Sequence, residues 1–380
     1  MHQLGRAAKR MTEQAGEEAA TIHRLLEIGK LEEDIDIDYP IKPIDADVII
    51  IDEMSMVDTY IMNYILKGIY LGTKLILIGD SNQLPSVGPG NVLKDIIKSE
   101  RISTIELNEI FRQSAKSKII TSAHNVNNGI TFTENLATLA RGVPPQVTVG
   151  SQLQDFFYIN EANPNKIQET IISLCTGRLK EYGDYEFLDN IQVLSPTKKG
   201  NLGTKELNKT LQEVLNPIGG YNYAERQHGD RVFRTGDRVM QIKNNYDILW
   251  KKENGYDNGT GIFNGELGII RKIDDESKVI EILFDDNKRV WYEYSELDQI
   301  EHSYSITIHK SQGSEFDVVI ICVPKTYPAL LTRNLLYTGL TRAKELLIVI
   351  GNKQIIDFMV ENVDNKKRNT GLKYKMEGTC

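Results

Sequence analysis

The chain has 380 residues, of which 40% are hydrophobic and 26% are charged, and its formal net charge is -8. This composition is ordinary for a globular protein of two or three domains, and the acidic balance argues against binding nucleic acid through bulk positive charge. No apolar run approaches the roughly 20 residues that cross a bilayer, and the N-terminus lacks a signal segment, which predicts a cytoplasmic protein with no membrane partner. The three cysteines are widely spaced and match no zinc or disulfide pattern.

The first third of the chain predicts a parallel α/β sheet. Residues 5–28 are rich in strong helix formers and predict one helix. Residues 29–46 are acidic and contain two prolines, which indicates a short excursion such as a hairpin. The run Val48-Ile49-Ile50-Ile51 then predicts a strand buried on both faces, and Asp52 and Glu53 follow it directly.

Asp52 and Glu53 are candidates for nucleotide chemistry because ligands bind at the carboxyl ends of parallel strands. An aspartate that orients Mg²⁺ and a glutamate that polarises an attacking water are typical of a site that hydrolyses nucleoside triphosphates. The alternative is structural: Asp52 would cap a helix that begins near Met56. The local pattern leaves both interpretations open.

A second unit of strand and carboxylate follows at residues 74–80 and ends in Asp80. The next loop contains Gln83 among prolines and glycines, and its amide could bond a terminal phosphate or the attacking water; a rigid surface turn is the alternative. Residues 103–107 predict a third strand. Arg112 follows as a candidate arginine finger, or as a surface arginine paired with Glu109.

Glycine, proline and valine accumulate at residues 142–152, which predicts a domain boundary near residue 150. A second series of strands and helices follows. Within it, residues 229–300 contain short strands separated by turns, which predicts a small β-barrel insertion that either contacts a partner or is purely structural. Residues 307–312 form a polar loop suited to phosphates, Arg342 lies near the end of a predicted helix, and the basic tail at 366–368 is predicted to fray.

Five segments together resemble the conserved motifs of superfamily 1 DNA helicases, most closely those of the RecD-like branch. In chain order they are Asp52-Glu53-Met54-Ser55-Met56, residues 79–88, Leu107-Asn108-Glu109-Ile110-Phe111-Arg112-Gln113, residues 307–316, and Tyr337-Thr338-Gly339-Leu340-Thr341-Arg342-Ala343. They occur in the order of the family and extend along nearly the whole chain.

The resemblance implies an α/β fold of two RecA-like parallel-sheet domains. Residues 1–150 would form the first, with a hairpin near 29–46, and residues 151–380 the second, with an SH3-like β-barrel insertion at about 236–300. It also implies an ATP-dependent helicase that moves 5′ to 3′ on single-stranded DNA, uses Mg²⁺, and acts as a monomer on duplexes with a 5′ overhang, alongside repair and recombination proteins.

The resemblance also implies roles for individual residues. Glu53, Gln83, Arg112 and Arg342 would be catalytic, and Asp52 would hold Mg²⁺. Nucleotide contacts are expected from Asp52, Asp80, Gly313 and Glu315, and DNA contacts from Arg6, Thr21, His23, Thr307, His309 and Ser311.

The chain departs from the family pattern at two points: no G-x-x-x-x-G-K-[ST] loop occurs in it, and His2-Gln3-Leu4 stands where relatives carry Ala-Pro-Thr. We therefore expect a fragment of a larger helicase that hydrolyses ATP weakly or not at all. A non-catalytic DNA-binding or assembly subunit on a helicase scaffold is one alternative. Another NTPase that acts on protein is disfavoured by the polar loop at 307–316.

Overall fold

The computed structural model describes residues 11–12, 16–17, 19–28, 41–107, 117–134, 154–219, 223–363, 368 and 370–378. The chain forms two compact units, one of Met1–Phe111 with Asp364–Cys380 and one of Arg112–Val363. The predicted boundary near residue 150 falls outside the described residues and stays a prediction. Among the described residues, no helix is long and apolar enough to cross a membrane.

The first unit contains a parallel pair of strands covered by helices. Strands β1 and β2 pair in register from Val48 with Lys74 to Ile51 with Leu77. Its described elements are α1 Ile22–Leu25, β1 Val48–Ile51, α2 Thr59–Lys67, β2 Lys74–Leu77 and α3 Val92–Ser99. Asp58 caps α2, because its carboxylate accepts a bond from the Ile61 amide at 2.8 Å.

Three predictions for this unit are wrong. The described part of residues 5–28 is not one helix: Gly16 has a φ of +71, a left-handed conformation, and α1 begins only at Ile22. The described residues 103–107 contain no strand. Strand β1 alternates in burial, with Val48 and Ile50 48% and 41% exposed, because a four-residue apolar run does not reveal how many faces are covered.

The second unit has a five-stranded parallel sheet in the order β14-β4-β15-β16-β3. Its strands are β3 Phe156–Asn160, β4 Ile191–Ser195, β14 Ser305–Thr307, β15 Phe316–Val323 and β16 Ala343–Gly351. Its helices are α4 Lys118–Asn127, α5 Pro164–Ser173, α6 Leu179–Gly183, α7 Phe187–Asn190, α8 Thr204–Leu215, α9 Arg333–Leu340 and α10 Lys353–Glu361. The apolar runs of β15 and β16 are buried on both faces, as expected for central strands.

Between α8 and β14 the chain forms the predicted SH3-like insertion. A short hairpin pairs β5 Glu225–His228 with β6 Arg231–Arg234. A seven-stranded antiparallel sheet follows in the order β13-β7-β10-β11-β12-β8-β9. Its strands are β7 Arg238–Gln241, β8 Asn245–Lys252, β9 Asn258–Ile262, β10 Leu267–Asp274, β11 Val279–Phe284, β12 Lys288–Glu293 and β13 Ile300–His302. The sequence patterns did not predict the long hairpin of β8 and β9.

A buried polar cluster joins the insertion to helix α8. The Asp237 side chain is fully buried and accepts bonds from the side chains of Gln212, Asn216, His302 and Tyr304 and from the Arg234 amide, at 2.6–3.0 Å. Burial, together with the charge of Asp237, raises the pKa of Tyr304, so its hydroxyl remains a donor. A buried carboxylate with five donors fixes where the insertion begins.

The described residues near the C-terminus belong to the first unit. Helix α11, Leu372–Glu377, belongs to this unit, and Leu372 and Met376 pack against its core. Arg368 and Thr370 make hydrogen bonds to the same unit. The prediction of a frayed tail is therefore wrong for residues 368 and 370–378, because a basic sequence pattern does not indicate contacts with distant residues. Residues 366 and 367 lie outside the described part of the chain.

Candidate functional site

In the first unit, the ends of β1 and β2 bring two predicted segments together. The Ile78 amide donates to the Ile51 carbonyl at 2.8 Å, and the Met54 amide donates to the Ile78 carbonyl at 2.9 Å. A Cβ on Gly79 would lie 2.9 Å from the Met54 nitrogen, so only glycine permits this approach. The backbones that carry Asp52-Glu53 and Gly79-Asp80 are thus adjacent.

Asp52 does not cap a helix, so the predicted alternative of a capping aspartate is wrong for this residue. Its carboxylate accepts the Glu53 amide at 2.8 Å, and Asp58 is the residue that caps the following helix. Among the described residues, no group of three His, Cys, Asp or Glu side chains could hold a metal ion. Mg²⁺ bound to phosphates needs only one or two carboxylates and keeps several waters, so Asp52 fits such an ion but not an all-protein cage.

Glu53 has a backbone conformation that side chains rarely adopt. Its φ is 53° and its ψ is 43°, in the left-handed region, and a short 3₁₀ turn, Met54–Met56, begins directly after it. This conformation costs a non-glycine residue roughly 1–2 kcal/mol. Strained residues of this kind cluster at functional sites, and the turn directs the chain from the strand end into α2.

The loop from Ile78 to Asn91 holds Asp80 and Gln83 close together. The Asp80 carboxylate accepts the Asn82 amide at 2.8 Å, and the Gln83 amide donates to the Asp80 carbonyl at 3.3 Å. Gln83 is half-buried, and Leu84 and Ser86 are buried. The loop therefore has a defined path at the same edge of the sheet as Asp52 and Glu53.

In the second unit, β14 leads into the turn predicted to contact DNA. Thr307 is buried and caps the 3₁₀ turn Ile308–Ser311, accepting the Lys310 amide at 3.3 Å. Ser311 is fully buried, and its hydroxyl donates to the Ile308 carbonyl at 2.8 Å. Of the three predicted DNA contacts here, His309 is exposed, whereas Thr307 and Ser311 are buried and their hydroxyls stabilise the turn.

Atoms around the His309 ring partly desolvate it, although its outer side is open to solvent. This desolvation lowers the pKa of His309 below its ordinary value of 6.5. The imidazole is therefore neutral at pH 7, when it can donate one hydrogen bond but carries no charge.

Arg342 lies beside the two predicted nucleotide contacts of this unit. Its guanidinium is buried and donates to the Thr338 carbonyl at 3.0 Å, the Ser314 carbonyl at 3.1 Å and the Thr341 hydroxyl at 3.1 Å. Ser314 stands between Gly313, which has a φ of +68, and Glu315, which is exposed. The structure thus joins Ser314, which lies between the two predicted nucleotide contacts, to Arg342.

The remaining predicted site residues lie elsewhere. Thr21 caps α1, accepting the Arg24 amide at 3.2 Å, and His23 is half-buried in that helix. Arg6 and Arg112 lie outside the described residues, so their predicted roles stay predictions. Sequence reasoning missed Arg368, which contacts the loop of Asp80 and Gln83, and no local pattern in a basic tail could have indicated it.

Three family models match the chain in order. Residues 3–142 match an AAA domain, residues 207–284 match the SH3 domain of ATP-dependent RecD-like DNA helicases, and residues 302–350 match a UvrD-like helicase C-terminal domain. These matches confirm the resemblance to RecD-like helicases seen in the sequence.

Two relatives illustrate this similarity. The ATP-dependent RecD2 DNA helicase of Deinococcus radiodurans is 31% identical over 97% of this chain and 44% of its own length. The RecBCD enzyme subunit RecD of Buchnera aphidicola subsp. Acyrthosiphon pisum is 26% identical over 89% of this chain and 59% of its own length. The chain thus spans about half the length of these curated relatives.

A solved structure of a Pif1 helicase from Bacteroides in complex with ADP-AlF3 and single-stranded DNA is 20% identical. The alignment covers 94% of this chain and 83% of that chain, with a TM-score of 0.48.

Proposed function

We propose that this chain is the motor part of an ATP-dependent DNA helicase of the RecD type that moves 5′ to 3′ on single-stranded DNA. The observation that carries the proposal is the adjacency of the β1 and β2 ends in the first unit. It places Asp52, Glu53 and the loop of Gln83 at one edge of a parallel sheet, where nucleotides bind in α/β proteins.

The proposed nucleotide chemistry divides among these residues. Asp52 would hold Mg²⁺, which when bound neutralises phosphate charge. Glu53 would accept a proton from the attacking water, and Gln83 would orient that water or the terminal phosphate. Asp80, Gly313 and Glu315 would contact the nucleotide, and Arg112 and Arg342 would stabilise developing negative charge.

For Arg342 this role requires part of the guanidinium to reach a phosphate oxygen. Arginine suits such a contact because its planar fork offers five donors.

The proposed DNA chemistry rests on the turn after β14. Its backbone and the His309 ring would contact phosphates, with Thr307 and Ser311 fixing the turn, and Arg6, Thr21 and His23 would add contacts in the first unit. Duplexes with a 5′ overhang are the proposed substrates, a monomer the proposed acting form, and repair or recombination proteins the proposed partners. Phosphate contacts make such binding strongly dependent on salt.

Binding of a labelled oligo-dT to the full chain, followed by fluorescence anisotropy, tests the DNA part. We expect His309→Ala to weaken binding about three- to tenfold, the value of one good contact. His124→Ala is the matched control, since His124 is also exposed but lies on helix α4. The logarithm of the binding constant should fall by about 0.7 per phosphate contacted for each decade of salt. Equal affinities for the wild type and His309→Ala, or no response to salt, would contradict the proposal.

A non-catalytic DNA-binding or assembly subunit on the same scaffold is the second candidate. The two candidates differ at Glu53. If the chain is a motor, Glu53→Gln removes whatever DNA-stimulated ATP hydrolysis the wild type shows, while oligo-dT binding is retained. Detectable hydrolysis that is unchanged in Glu53→Gln contradicts the role of Glu53 and favours the non-catalytic subunit.

A further inference from the structure

The loop from Ile78 to Asn91 turns three of its backbone carbonyls toward one side chain, that of Arg368. Arg368 Nη1 donates to the carbonyls of Gly88 and Gly90 at 2.6 and 2.8 Å, and its Nη2 donates to the Ser86 carbonyl at 2.6 Å. Nη1 also lies 3.3 Å from the Ser86 hydroxyl oxygen. One guanidinium thus satisfies four oxygen atoms of a loop segment that lacks regular structure.

The same loop segment rests on the start of helix α2. A Cβ on Gly88 would lie 1.8 Å from Asp58 Oδ2, and a Cβ on Gly90, whose φ is +90, would lie 2.0 Å from Thr59 Oγ1. Both the amide and the hydroxyl of Thr59 donate to the Pro89 carbonyl at 3.0 Å. The glycines permit this close contact, but they also give the loop more conformational freedom that an external bond must restrict.

Arg368 is itself held in place by the segment that follows it. The Thr370 hydroxyl donates to the buried carboxylate of Asp95 in α3 at 2.7 Å, and Arg101 donates to the Glu377 carbonyl at 3.1 Å. With Leu372 and Met376 packed on the core, residues 368 and 370–378 form a docked C-terminal segment of the first unit. The second unit, Arg112–Val363, ends shortly before this segment in the sequence.

We propose that Arg368 is a positioning residue for the Gln83 loop: it fixes the Ser86–Gly90 backbone against α2 and so determines where Asp80 and Gln83 stand. Arginine suits this role, because its planar fork presents five donors while lysine presents one compact ammonium group. The importance of the loop for ATP turnover rests on the proposed function, whereas the positioning by Arg368 does not. The loop reaches its working position only once the C-terminal segment has docked.

Hydrogen exchange measured by mass spectrometry on the full chain, without nucleotide or DNA, tests this role. In Arg368→Ala, we expect the amides of Thr59, Asn82 and Gln83 to exchange about tenfold faster or more, as for the loss of about 1.4 kcal/mol of local stability. Amides of β1 and of β15 should keep their rates, because a local tie does not govern global unfolding. Millimolar guanidinium, far below denaturing concentration, should restore slow exchange of the loop by occupying the vacated position.

Two further variants separate Arg368 from general docking of the segment. Arg101→Ala removes one bond to the C-terminal helix without touching the loop and should leave loop exchange unchanged. Arg368→Lys keeps the charge but reaches fewer of the four oxygens, so its loop should exchange at an intermediate rate.

The proposal is overturned if loop exchange in Arg368→Ala equals that of the wild type. It is likewise overturned if Arg101→Ala accelerates the loop equally, or if β1 and the loop accelerate together and guanidinium restores neither. Because this measurement involves neither DNA nor ATP, its failure is distinguishable from failure of the oligo-dT and hydrolysis tests.

Discussion

The left-handed backbone at Glu53 predicts that glycine at this position stabilises the fold more than a residue with a side chain does. Replacing Glu53 by alanine removes the carboxylate and keeps the strain, whereas replacing it by glycine removes both. The difference between Glu53→Ala and Glu53→Gly therefore isolates the backbone contribution, whatever contacts the carboxylate makes. Glu100 is the matched control: it ends helix α3 with a φ of 53 and is exposed.

The expected size follows from two opposing terms. A left-handed conformation costs alanine roughly 1–2 kcal/mol, and glycine loses roughly 0.5–1 kcal/mol more entropy on folding. Glycine should therefore exceed alanine by about 0.5–1 kcal/mol in the free energy of unfolding at both positions. This difference corresponds to roughly two- to fivefold slower hydrogen exchange of the amides that exchange through opening of the first unit.

Hydrogen exchange of the β1 and β2 amides measures this opening free energy for the first unit alone. We expect Glu53→Gly to protect these amides more than Glu53→Ala, and Glu100→Gly more than Glu100→Ala, by similar factors. Only the Glu53 variants should also lose ATP turnover. If glycine at position 53 is less stable than alanine while glycine at position 100 is more stable, the reasoning from backbone strain at Glu53 is refuted.

Three further predictions concern the second unit and the whole chain. Asp237→Ala should destabilise the SH3-like insertion by about 3–5 kcal/mol, since it leaves buried donors without their acceptor. Urea unfolding measures this loss of stability through the fluorescence of Trp250 and Trp291, which both lie in the seven-stranded sheet. A loss no larger than that of the exposed Asp247→Ala contradicts the prediction. The lowered pKa of His309 means that the unfolded state binds its proton first, so this group's stabilising contribution is present above about pH 6.5 and declines as the pH falls below it. Protonated His309 should at the same time attract phosphates, so oligo-dT affinity should rise between pH 7 and pH 5.5 in the wild type more than in His309→Gln; equal pH profiles contradict this. The 380-residue chain should hydrolyse ATP at least about 100-fold more slowly than a helicase with an intact phosphate-binding loop, because the loss of even one transition-state donor costs that much. ATP turnover at ordinary helicase rates would disprove this prediction.

The sequence by itself located several of the strands and helices and the polar residues that follow them. Apolar runs predicted β15 and β16, and the five motifs carried the resemblance to RecD-like helicases. These features are local, because a strand needs only a short run of suitable residues and a motif only a fixed spacing.

The tertiary structure determined which side chains are exposed and which are already engaged in hydrogen bonds. It covered one face of β1, engaged the Ser311 hydroxyl and the Arg342 guanidinium inside the second unit, and brought Arg368 to Ser86, 282 residues earlier in the chain. The hydrogen-bond partners of these side chains depend on contacts between distant segments, which short-range patterns do not specify.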